Sequence, residues 1–108
     1  MATNVAIIDA DQPSVTTAVN QYTSPANGAG TRIVAFTASL VTGTETYRVF
    51  VGTSAATATE IVPAESITGP NRDTPLELIN HLIPAGSSLF TQVSTGPTIT
   101  FRASGIEF

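Results

Sequence analysis

The chain has 108 residues, a net charge of −4, eight carboxylates, four arginines with no lysine, and no cysteine. Those values exclude a disulfide framework and a thiolate metal site, and they leave no basic stripe to follow a phosphate backbone. They predict a single domain that buries roughly two-thirds of its unfolded surface, a core that gains from association.

Charged residues make up only 11 % of the chain, far below the usual quarter. Threonine, serine, asparagine and glutamine must therefore carry the polar surface. Such an exterior packs against another protein without desolvating many ions, and it suits equally well a plain β protein with a threonine-rich surface.

From the N-terminus, Val5-Ala6-Ile7-Ile8 reads as a short strand or an arm, closed by a turn at Asp9-Ala10-Asp11-Gln12-Pro13. Val15 to Tyr22 alternates loosely and predicts a strand, broken by the loop Ser24-Pro25-Ala26-Asn27-Gly28-Ala29-Gly30. Val34, Phe36, Ala38 and Leu40 share one face, and after Thr42-Gly43-Thr44 the residues Tyr47, Val49 and Val51 share another, which predicts a central hairpin. Arg48 and Phe50 fall on its opposite face, a pairing that marks a covered or subunit-contact surface. Glu60-Ile61-Val62-Pro63 predicts an edge strand, because Pro63 cannot donate to a ladder.

Thr-Gly-Pro occurs at Thr68-Gly69-Pro70 and again at Thr95-Gly96-Pro97 without matching flanks, which is shared turn chemistry and not a repeat. Thr74-Pro75-Leu76-Glu77 has the spacing of a capping box, with Leu76, Ile79 and Leu82 or Ile83 recurring at three to four residues and Pro84 ending the run. A helical turn is expected there; a strand through Leu76 and Leu78 stays open as the alternative. Leu82 to Phe90 turns a corner at Pro84 and Gly86. Thr98 to Ser104 then alternates strictly, with Ile99, Phe101 and Ala103 on the core side and Ile106 and Phe108 continuing the pattern to a terminus that is tied down.

About seven to eight short strands and one short helical turn make an all-β protein, an antiparallel β-sandwich of jelly-roll or immunoglobulin-like type. Residues 1–13 form the N-terminal arm or short strand, and 14–108 the sandwich. The longest apolar stretches fall well short of the ~20 residues that span a membrane. Met1 to Asn4 lacks the basic start and apolar run of a signal peptide, so a soluble, unexported protein is expected.

Catalytic chemistry finds little material. His81 is the sole histidine and no Gly-x-Ser-x-Gly elbow accompanies it. Asp9, Asp11 and Gln12 offer oxygens for Ca²⁺ but lack the ordered loop and closing glutamate. Glu60 and Glu65 have no fixed separation in space, and there is no tryptophan to stack on a sugar. No enzyme, no cofactor and no metal is expected.

The stretch Ile33-Val34-Ala35-Phe36-Thr37 to Tyr47-Arg48-Val49-Phe50-Val51, the corner Leu82-Ile83-Pro84-Ala85-Gly86-Ser87-Ser88-Leu89 and the closing run Thr98 to Glu107 together resemble small bacteriophage virion structural proteins, over roughly Arg32 to Phe108. The resemblance implies a capsid decoration or cement protein that binds the outer surface of the icosahedral head and clamps neighbouring major capsid subunits. It implies the major capsid protein and further copies of the chain, as homotrimer or dimer, for partners, with neither nucleic acid nor membrane. The location would be the capsid surface, after synthesis in the host cytoplasm. Val5, Ile7, Ile8, Arg48 and Phe50 are the expected shell or intersubunit contacts, and removing the residues before Pro13 is expected to abolish capsid binding while sparing the fold. A tail, neck or fibre component and a small carbohydrate-binding module are the alternatives.

Overall fold

The computed structural model describes residues 2–108. Nine strands run β1 (Thr3–Asp11), β2 (Val19–Thr23), β3 (Thr31–Leu40), β4 (Thr44–Gly52), β5 (Glu60–Thr68), β6 (Asn71–Asp73), β7 (Leu82–Ile83), β8 (Ser88–Val93) and β9 (Thr100–Glu107), with 3-10 turns at Thr57–Thr59 and Leu76–Leu78. They form two antiparallel sheets, one ordered β1-β9-β3-β6 with β7 also on β3, the other β2-β8-β4-β5. The chain crosses from sheet to sheet at nearly every connection. This order is the wrapping of a jelly roll and differs from the A-B-E-D and C-F-G sheets of an immunoglobulin domain.

The closing strand behaves as its alternation predicts. Ile99, Phe101 and Ala103 are 0 %, 0 % and 6 % exposed, and the Phe101 ring meets Phe36 at 5.9 Å and the edge of Tyr47 at 5.8 Å. Phe36 and Phe101 share the larger sheet, and the Tyr47–Phe101 contact joins the two sheets across the core, which Val49, Val62, Leu78 and Leu89 complete.

The expected central hairpin does not form. β3 pairs with β9, β6 and β7, whereas β4 pairs with β5 and β8 in the other sheet. A period of two shows which side of a strand meets the core but not which strand lies beside it. Phe36, Ala38 and Leu40 therefore face Tyr47, Val49 and Val51 across the interior, and the Val41-Thr42-Gly43 corner carries the chain over. A side chain on Gly69 would strike that corner, its Cβ standing 2.5 Å from the Thr42 nitrogen, while the Gly69 N–H donates to the Gly43 carbonyl at 2.8 Å.

Three other expectations shift. Val34 joins the outward face, 45 % exposed, because a bulge between Ile33 and Ala35 moves the inward set to Ile33, Phe36, Ala38 and Leu40. Ile106 and Phe108, an odd number of residues beyond Phe101 on a strand with no extra residue of its own, lie in the outward phase and not, as expected, with Phe101, and Gly105 takes the inward position before Ile106. The terminus is nonetheless fixed: the Phe108 N–H donates to the Gly30 carbonyl at 3.0 Å and its own carbonyl accepts from Ala29 at 3.1 Å.

The helical segment is a single 3-10 turn whose entry has no side-chain cap, so the Thr74 capping box is not made. Backbone pairing wins instead. Asn80, at φ +66°, ends the turn and donates to the Ile33 carbonyl at 2.7 Å, the Ile33 N–H donates to the His81 carbonyl at 2.9 Å, and the chain re-enters the sheet as β7.

Candidate interaction surface

The outer face of the larger sheet is built from rows that the register fixes. One row sets Ala6 beside Ser104 and Ala35, a strip of small side chains across three strands. A second sets Asn4, Ile106, Arg32 and Leu82 abreast. At the other end Arg102 stands opposite Thr37, and Arg72 opposite Ser39. The middle of the face is flat because no side chain there is longer than serine. Shallow depressions run along it, lined by Asn4, Val34 and Ile106 towards one end and by Asp9, Thr37 and Arg102 towards the other.

Charge and apolar area are both left open on this face. Arg32, Arg72 and Arg102 have no carboxylate within ion-pair distance among the described residues, and Asp9 is the acidic residue that shares the face with them. The face therefore carries a positive surplus in a chain of net charge −4. Val34 and Leu82 are 45 % and 44 % exposed. The exposed Phe108 ring lies against Arg32, whose guanidinium carbon is 5.2 Å from its centroid. Flatness, small residues, unpaired arginines and apolar side chains suit docking of another protein surface better than enclosure of a small molecule.

The outer face of the smaller sheet is covered by its own chain around Phe50. Phe50 lies beside Phe90 and opposite Glu60 and is 5 % exposed, with the 55–57 segment next to it. Arg48 donates to the Glu60 carboxylate at 2.6 Å, and Gln92 reaches the Thr16 carbonyl at 3.1 Å. Of the residues expected to contact a shell or a neighbouring subunit, Phe50 is thus buried within this chain and Arg48 is paired on it. Ile7 and Ile8 are 3 % and 4 % exposed in the core, because β1 is an integral strand bonded to β9 and not a free arm. Val5, half-buried, borders the candidate surface. The sheet face itself is carried by Arg32, Arg72 and Arg102, which sequence reading passed over because they are far apart along the chain.

Asp9 and Asp11 lie within β1, not in a turn, and the Asp11 Oδ2 accepts from Gln21 Nε2 at 2.7 Å while the same amide reaches Thr91 Oγ1 at 2.9 Å. The bulged Gln21 thereby bolts β1 of one sheet to β2 and β8 of the other. The His81 carbonyl accepts a single backbone bond from the β3 edge, at Ile33, and its N–H donates to the Leu78 carbonyl. Among the described residues no three histidine or carboxylate side chains converge as a metal set, and no helix is long and apolar enough to cross a membrane.

A third depression gathers Glu65, Asp73 and Glu77 around Tyr47, whose hydroxyl donates to Asp73 Oδ2 at 3.3 Å. Burial pushes the Tyr47 phenol far above its usual range, and the neighbouring Asp73 and Glu65 charges add to it. Tyr22 is raised too, by burial and by its hydrogen bond to Glu107, within a cluster that includes Thr31 and Ser24. Phenols held protonated by burial and acidic neighbours bind their partners and supply no nucleophile. No known protein family, curated protein or solved structure matches this chain.

Proposed function

We propose that the protein is a structural component of a bacteriophage virion, a decoration or cement protein that docks on the outside of the head and ties neighbouring major capsid subunits together. The exposed face of the larger sheet, with its small-residue strip and three unpaired arginines, is the observation that carries this role. It would lie flat on an acidic subunit surface, and its arginines would steer and orient the encounter. Many copies, each adding a modest buried area, would reinforce a shell by multivalent contact. A jelly-roll wrapping, an architecture used by viral capsid domains among others, supports the same assignment.

The test is the copy number of this chain in purified particles, measured by quantitative mass spectrometry against the major capsid protein. A ratio near one, or a simple fraction of it, is the expected result. A ring-sized handful of copies would move the protein to the neck or tail, and absence from the particle would end the virion assignment.

A further inference from the structure

The two sheets present four edges, and three are guarded against pairing with another chain. β5 carries Pro63 in its middle, Glu60 and Glu65 along its length, and register shifts at Tyr47/Val49 and Val49/Phe50. The β3 side of the larger sheet is capped in pieces by the three-residue β6, the two-residue β7 and the backbone bonds of Asn80 and His81. β2 has five residues with a shift between Asn20 and Tyr22. Short strands, prolines, charges and bulges are the devices that keep sheet edges from joining.

The edge of β1 lacks them where it begins. Thr3 to Ile8 holds no charge and no proline, its register against β9 is regular from Thr3 to Ala6, and its ladder bonds go to β9 alone. No other segment among the described residues bonds its outer side. Asn4 and Ala6 are exposed on the outer face, and Val5 is half-buried on the inner side.

We infer that the occupant of this edge is the β1 strand of a second copy, paired antiparallel about a two-fold axis at Val5. Opposed residues in an antiparallel pair point to the same side of the sheet, so the inward Val5 must oppose an inward residue and the outward Asn4 an outward one. Centring on Val5 sets Asn4 against Ala6 of the other copy, inside the part of β1 that keeps a regular register, and leaves Thr3 and the bulged Ile7 at the ends of the paired stretch. Asp9 and Asp11 then fall at opposite ends of the joined strands, so like charges never meet. The two larger sheets become one, and their small-residue strips and apolar ends run on across the junction, which doubles the flat area available for docking. This pairing rests on the edge alone and holds whether or not the face binds a capsid.

Sedimentation velocity of the full chain over a dilution series is expected to show twice the chain mass. Asn4→Lys with Ala6→Lys, both at exposed positions, should halve that mass while leaving the circular dichroism spectrum of the folded chain unchanged and making its melting temperature independent of concentration. The chain has no native cysteine, so a mixture of Asn4→Cys and Ala6→Cys chains should oxidise to a cross-linked mixed pair in preference to either variant alone. Opposed Cα atoms in such a pair are about 4.5–5.5 Å apart, inside the range a disulfide spans. A wild-type chain of single mass at every concentration would overturn the inference. So would a dimer that both lysines leave intact and that fails to cross-link.

Discussion

Gly105 is where the packing of the larger sheet is least forgiving. A Cβ there would run into the Arg32 carbonyl and stand 2.6 Å from the Ile7 Cδ1. The first obstacle is backbone and cannot swing aside, so Gly105→Ala is expected to destabilise the fold by about 1–3 kcal/mol, the range of overpacked cores, read as a lower denaturation midpoint at constant slope. The two tyrosines yield a second residue-scale prediction. Both are raised above the ordinary value of 10.0 in the folded chain, so the folded state holds their protons more tightly than the unfolded state does. Their contribution is fully present below pH about 10 and is lost as pH rises beyond it. Phenolate absorbance should therefore appear together with unfolding and not before it, and Tyr47→Phe should flatten the alkaline fall in stability. Phenolate signal from a fully folded chain near pH 10 would refute this account.

At the level of elements, β1 and the Leu76–Leu78 turn show what a linear pattern conveys. Removing the residues before Pro13 would strip an edge strand together with the buried Ile7 and Ile8, so that deletion should cost the fold itself, seen as lost cooperativity in thermal unfolding. Of the two readings of residues 1–13, arm or short strand, the structure has the strand, longer than expected because two β-bulges let Asp9 and Asp11 stay in it where a turn was predicted. In the turn, Leu78→Ala should cost about 2–5 kcal/mol, as for other buried leucines, while Thr74→Ala should change stability by less than about 0.5 kcal/mol, as for a surface position. The reason is that Thr74 makes no cap and Leu78 is 0 % exposed. Burial was legible wherever alternation was unbroken: Ile99, Phe101 and Ala103 from the closing run, and Tyr47, Val49 and Val51 from the fourth strand. A bulge on β3 hid the phase of Val34, since one extra residue inverts every side chain beyond it, whereas Ile106, five residues after Phe101, is outward by the same alternation that buries Ala103. Lateral neighbours were not legible at all, because β3 and β4 have the same pattern whether they pair or face each other. The candidate surface was unreadable for a related reason: Arg32, Arg72 and Arg102 meet on one face only after β9, β3 and β6 have come together.

For the molecule as a whole, charge is divided between faces. Arg32→Glu, Arg72→Glu and Arg102→Glu together should leave the melting temperature nearly unchanged, since none is ion-paired within the chain. On the proposed docking role, the same triple change should sharply weaken retention on phage heads, and the wild-type affinity should fall as salt rises. Equal retention of wild type and triple variant would remove the arginine face from the docking role. The wrapping of the strands has a consequence for how the protein comes into being. Thr3 lies opposite Glu107, and β9 is the strand that separates β1 from β3 in the larger sheet. During synthesis the first strand has no lateral partner until the last has left the ribosome, so its apolar Val5, Ile7 and Ile8 wait exposed while the rest of the chain is made. Because nearly all pairings are distant, folding is expected to be slow for a domain of this size. Nascent chains halted before β9 should be bound by chaperones or digested by protease, and protection should arrive in one step when the closing strand emerges.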